Sequence, residues 1–168
     1  MAGELIGQLA DSDAIISSGR STLRAVVWGT LIAGTLDITS AIVLWGFRGA
    51  PPTRILQSVA SGWLGRDSYT GGVPTAALGL LSHFLIMSAI VTIYVIASSR
   101  LTALKDHPVL CGALYGVIVF FVMSCIVVPL SAAHGHQPSL QAILEGLAVH
   151  IPLVGIAIGL VTYRLAPR

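Results

Sequence analysis

Apolar residues run in four long blocks, and the polar positions gather between them. The blocks cover residues 23–47, 74–98, 109–130 and 140–163. A hydrocarbon core of about 30 Å needs roughly 20 helical residues, and each block meets or slightly exceeds that length. The pattern predicts four transmembrane helices. Short connections make the second, third and fourth antiparallel neighbours. The expected fold class is all-α, a four-helix transmembrane bundle.

The polar segments have a pattern of their own. Between the first two blocks, Ile55, Leu56, Val59 and Trp63 fall on one helical face, and Arg54, Ser58 and Ser61 on the other. Residues 51–64 are too short and too polar to span. They read as an interfacial amphipathic helix that can also cap the bundle mouth. Gly71 and Gly72 precede Pro74, and proline suits the first turn of a helix. Asp106 is placed to cap a helix starting near Pro108. Residues 1–22 read as a separate N-terminal segment, cytoplasmic, and either a short interfacial helix through Leu5, Ile6, Leu9, Ile15 and Ile16 or a loose tail. Glu4, Asp11 and Asp13 interrupt it, so it lacks the cationic start and apolar core of a cleavable signal peptide. A single transmembrane domain then occupies residues 23–165.

Composition sharpens the membrane reading. Only 10% of the 168 residues are charged and 55% are hydrophobic, where a soluble domain carries about a quarter charged residues. Mean hydropathy is +0.88. The lipid bilayer is therefore the expected partner, with no room for a separate soluble domain. Arg20, Arg24, Arg100, Lys105, Arg164 and Arg168 fall on one side of four spans, and Arg48, Arg54 and Arg66 on the other. Six against three predicts both termini inside. The net charge of +2 comes without a basic cluster, so nucleic acid binding has no support. Cys111 and Cys125 lie in one block, about 21 Å apart along a helix, too far to bridge each other.

Two small-residue motifs stand out. Gly112 and Gly116 form one G-x-x-x-G, and Gly155 and Gly159 form another. Such stripes let helix backbones approach closely in lipid. Packing within the chain is the first use for them, and a homodimer through the same faces is the alternative. Gly79-Leu80-Leu81-Ser82-His83 and Gly146-Leu147-Ala148-Val149-His150 share the pattern G-L-x-x-H. Two related hairpins, the first carrying the amphipathic helix as an insertion, would produce that repetition.

Four ionisable residues fall inside the apolar blocks: Asp37, His83, Glu145 and His150. Such residues cost a few kcal/mol to insert and usually face the protein interior. Asp37, His83 and His150 each lie about 15 Å from the outer end of their helix, which puts three helices' polar groups near the midplane. Glu145 lies nearer the outside. Three uses are open. The cluster can be structural, with Asp37 bonding a histidine and His83 a backbone carbonyl, while Pro152 frees the carbonyl of Ala148. It can bind a proton or small solute, with Glu145, His134 and His136 at an entrance. Alternatively, His83 and His150 can be the axial ligands of a b-type haem.

No nucleotide fingerprint, Walker loop, nucleophile elbow, Cys-x-x-Cys or His-Glu-x-x-His occurs. No enzyme active site, resident cofactor or metal is expected, and His134-Gly135-His136 reads as a solvated turn.

A Gly29-x-x-x-x-Gly34 span, a Pro-Pro opening to the amphipathic helix, the Gly71–Gly72 turn, an intramembrane histidine, a Pro129–Leu130 stop and a His150-x-Pro152 in the last span occur together. In this the chain resembles the YagU-like group of small bacterial inner-membrane proteins over most of residues 29–159. The resemblance implies four helices and a bacterial inner-membrane location. It carries over no reaction and no functional residue.

Overall fold

A computed structural model describes residues 2–133 and 138–167, with side chains from residue 15 onward. The described residues are almost entirely helical. In chain order they form α1 (Ala2–Gly46), α2 (Pro52–Leu64), a 3-10 turn (Gly65–Tyr69), α3 (Gly72–Arg100), α4 (Ala103–Asp106), α5 (Pro108–Val122), α6 (Val128–Leu130), α7 (Leu140–Val149) and α8 (Ala157–Leu165). Two π-helical segments interrupt this series, Met123–Val127 before α6 and His150–Ile156 between α7 and α8. Four helical stretches are long and apolar enough to cross a membrane: Ile15–Gly46, Gly72–Arg100, Pro108–Leu130 and Leu140–Leu165. The all-α four-helix architecture is the one the apolar blocks predict.

The N-terminal segment departs from expectation. It is neither a separate interfacial helix nor a tail, because α1 runs unbroken from Ala2 for 45 residues, about 68 Å at 1.5 Å per residue. No proline occurs before Pro51 to end it. Where the chain turns polar, Ser21 and Thr22 donate to the carbonyls of Ser17 and Ser18, each at 3.0 Å. Their hydroxyls thus bond one turn back and leave the helical path intact.

Two local expectations are also corrected. Asp106 does not cap the third span. The connection folds into its own helical turn, α4, which ends on Asp106, and His107 takes the cap position. In α2 the buried residues are Ile55, Gln57, Ala60 and Ser61, while Trp63 stays 65% exposed. The helix buries a small and partly polar face because it packs backbone-close on α3. A β-carbon on Gly79 would fall on the carbonyl oxygen of Leu56. Gln57 satisfies its buried amide by donating to the Gly72 carbonyl at 3.0 Å, as a polar group in such a place requires.

The third and fourth spans share a backbone-close seam of their own. A β-carbon on Gly112 would sit 2.6 Å from the Gly155 carbonyl oxygen. Gly116 abuts His150 and Ile151, and Gly159 abuts Pro108. The two G-x-x-x-G stripes thus mate with each other inside one chain, and dispersion over close backbones holds the pair. The first span packs against α3 and against α8. The bundle core is formed by Ala25, Ala33, Met87, Val91, Tyr94, Val154 and Ile158.

The second and third spans behave differently. Toward the end where α4 lies, Tyr94 and Tyr115 meet with their rings tilted and centres 4.9 Å apart, and the Tyr115 hydroxyl donates to the Ile90 carbonyl at 2.8 Å. At the other end a cleft of about 790 Å³ lies between α2 and the third span, with Ile86 of α3 in its wall.

Candidate functional site

Each of the three midplane residues is held by a different element. Asp37 lies on α1, one turn after Gly34. His83 lies in the middle of α3. His150 opens the π-helical segment of the fourth span. Proline cannot donate a backbone hydrogen bond and its ring clashes with the carbonyl four residues back. Pro152 sits inside that π segment, and the widened turn accommodates it. Such segments are frequent at functional positions.

The two histidines are wired through opposite ring nitrogens. His83 Nε2 lies 2.9 Å from the carbonyl oxygen of Gly34, across the α1–α3 interface. A carbonyl only accepts, so Nε2 carries the proton and donates. The remaining nitrogen, Nδ1, faces the Asp37 carboxylate at 4.0 Å. His150 Nδ1 lies 2.9 Å from the carbonyl oxygen of Gly146 in its own helix. It must be the protonated nitrogen there, which leaves Nε2 as the lone-pair side of the ring. The cross-bundle acceptor of His83 is thus the Gly34 carbonyl, not the Ala148 carbonyl that Pro152 was expected to free for it.

All three side chains line one cavity of about 190 Å³, walled by Met87, Val119, Met123 and Val154. Asp37 and His83 also line a second cavity of about 430 Å³. That one extends to Trp45, Ala50, Arg54 and Tyr69 at the end of the bundle where α2 lies. The Arg54 guanidinium stands over the Tyr69 ring, 4.7 Å from its centre. Asp37 therefore sits at the meeting of two voids. Among the described residues its carboxylate accepts no hydrogen bond, and the ring nitrogen that faces it is His83 Nδ1.

Glu145 is placed elsewhere. It accepts from Arg48 Nη2 at 2.5 Å and from Gln141 Nε2 at 2.9 Å, and it lines neither cavity. Its pairing ties the C-terminal end of the first span to the N-terminal half of the fourth. His134 and His136 lie outside the described residues. Among the described residues no three His, Cys, Asp or Glu side chains are grouped to hold a metal ion.

Comparison with protein-family models, curated proteins and solved structures finds no match for this chain. The chemistry of the site rests on its own geometry. That geometry does not fit an axial haem pair. The His83 nitrogen that keeps its lone pair, Nδ1, points at the Asp37 carboxylate only 4.0 Å away, which leaves no space for a porphyrin iron on that side. The cavity between the histidines, about 190 Å³, is below the roughly 300–1,000 Å³ of small-molecule sites.

Three contributors carry no mark in the sequence. Val59, Ile86 and Met123 line both the polar cavity and the 790 Å³ cleft, and so lie between them. They are ordinary apolar residues in apolar or amphipathic helices. Only the tertiary packing of α2, α3 and the third span gives them this position.

Proposed function

We propose that the chain is a multi-pass protein of the bacterial inner membrane, with both termini cytoplasmic, which takes up and passes a proton through Asp37, His83 and His150. The observation that carries this reading is the setting of Asp37. A carboxylate used as structural glue would be expected to accept donors from its neighbours. Asp37 instead borders two voids and meets only a histidine nitrogen that holds no proton while the ring is neutral. One proton placed between Asp37 Oδ2 and His83 Nδ1 gives either a neutral acid beside an imidazole or a carboxylate beside an imidazolium. At 4.0 Å the two groups are close enough for one proton to draw them together, and the adjoining space, largely apolar but bordered by Asp37, His83 and His150, has room for a bridging water.

The route has one open side. From Asp37 the 430 Å³ cavity leads toward Arg54 and Tyr69. Inward of His83 the way is closed by Val91, Val154 and Ile158, all fully buried. The arrangement reads as an outward-open one, with release to the other side requiring the packed inner half to move. The excess of Lys and Arg at the opposite end supports the orientation. The charged and titratable groups facing the centre are His83 from α3, His150 from the fourth span, and Arg54 and Tyr69 from α2 and the turn after it.

Proteoliposomes loaded with a pH-sensitive dye test the reading. After an external acid step, wild-type vesicles are expected to acidify faster than protein-free ones. Asp37→Asn should return the rate to the protein-free level, and His83→Ala should slow it. Wild-type vesicles as tight as empty ones would remove the proposal.

A further inference from the structure

The cleft and the polar cavity share the walls Val59, Ile86 and Met123, so an apolar chamber of about 790 Å³ adjoins the Asp37 centre with only these three side chains between them. Its outer walls are Trp63 from α2 and Ile126 and Val127 from the third span. Trp63 is fixed there by donating its indole N–H to Ser82 Oγ at 3.0 Å. A volume of this size suits a drug-sized or lipid-like apolar body.

The polar end of the combined site has one kind of chemistry. Both histidines give their ring N–H to backbone carbonyls, Gly34 and Gly146. What each ring keeps is a lone pair, and Asp37 supplies a carboxylate. The centre therefore offers hydrogen-bond acceptors from three helices and one negative charge. A ligand carbonyl or phosphate would meet only lone pairs. An ammonium group carries one positive charge and, if primary, three N–H donors. The other entrance is electrostatically wrong for it, because Arg54 stands in the 430 Å³ cavity, whereas among the described residues no charged one lines the apolar cleft.

We infer that this protein binds an amphiphile with a primary ammonium head, the head held among Asp37, His83 and His150 and the apolar body in the cleft beside Trp63. The inference rests on the proton-linked reading of the same centre. The ammonium then competes with the shared proton, since both need the Asp37 carboxylate.

Equilibrium binding to wild-type protein in phosphatidylcholine nanodiscs tests this, with protein-free nanodiscs subtracted. The probes are decylamine, decyltrimethylammonium and decanol. Decylamine is expected to bind saturably at one site, at least tenfold tighter than decanol or the quaternary cation. Asp37→Asn should weaken decylamine at least tenfold. Ile86→Trp, which fills the junction of cleft and cavity and leaves the three polar residues in place, should weaken it similarly. Equal binding of decylamine and decanol, or decylamine binding indifferent to Asp37→Asn and Ile86→Trp, would overturn the inference. Adding phosphatidylethanolamine to the nanodiscs distinguishes the source. If it displaces decylamine, the natural head is a lipid's, and if it does not, the natural ligand is a free amine; both results uphold the ammonium site. If decylamine fails while Asp37-dependent proton entry into proteoliposomes persists, only the ligand is wrong. Loss of both removes the proton-linked reading as well.

Discussion

His83 and His150 end the same five-residue pattern, G-L-x-x-H, at similar depth, yet they are held in different ways. His83 is buried and reaches across to Gly34 on another helix, while its free nitrogen faces Asp37. His150 is half-buried and turns back on Gly146 within its own helix. The glycines differ as well. Gly79 lies against the backbone of α2, and Gly146 lies against the side chain of Phe120. A short repeated pattern therefore fixes depth but not wiring. The first copy joins three helices, and the second adjusts one helix around a proline.

This contrast can be broken at the glycines first. Gly79→Ala pushes a β-carbon onto the Leu56 carbonyl, and backbone cannot swing away. We expect about 1–3 kcal/mol of destabilisation, the range for overpacking, with α2 loosened from α3. Gly146→Ala meets only the Phe120 ring, which can rotate, so its cost should be less than half of that. Unfolding in mixed micelles measures both. Equal losses would mean that the two glycines do the same job.

The histidines come next. His83→Ala removes a bond between helices and leaves a hole in the buried interior. Bonds between membrane helices contribute about 0.6–1.7 kcal/mol, and lost packing adds to this, for about 2 kcal/mol together. His150→Ala removes a bond within one helix from a half-buried ring, and about 0.5 kcal/mol is expected by the same scale. The same unfolding assay decides, and a reversed order would contradict the assigned wiring.

The smallest effect belongs to Glu145, the fourth ionisable residue. Its pair with Arg48 lies at the end of the bundle where the first span ends, with both side chains more than a third exposed. Glu145→Gln should leave the unfolding midpoint and the rate of proton entry unchanged within scatter. A large loss of proton entry would bring Glu145 back into the centre.

Much of this was legible in the residues, and the reasons are physical. Bilayer thickness fixes the length of a spanning helix, so four apolar blocks name four spans. A four-residue glycine spacing marks a close-packing ridge, and Gly112, Gly116, Gly155 and Gly159 are such ridges. That each stripe would mate with the other is a matter of tertiary register. Depth along a helix follows from a fixed rise per residue, which is why Asp37, His83 and His150 could be set at one level. Which carbonyl a histidine finds depends on helix rotation, and no local pattern encodes that. The cleft is illegible for a similar reason. It lies between α2 and the third span, a matter of how those elements pack, and no residue along it departs from the ordinary pattern of an apolar or amphipathic helix. Asp106 was misplaced because a short polar connection can close a helical turn by itself, which moves the cap by one residue.

The shared proton between Asp37 and His83 is most directly tested by infrared difference spectra of wild-type protein in nanodiscs across a pH step. The account predicts a carboxyl band that appears as pH falls, is absent from Asp37→Asn, and changes its midpoint in His83→Gln. Spectra that are the same in wild type and Asp37→Asn, or an Asp37 band whose midpoint ignores His83→Gln, would contradict it.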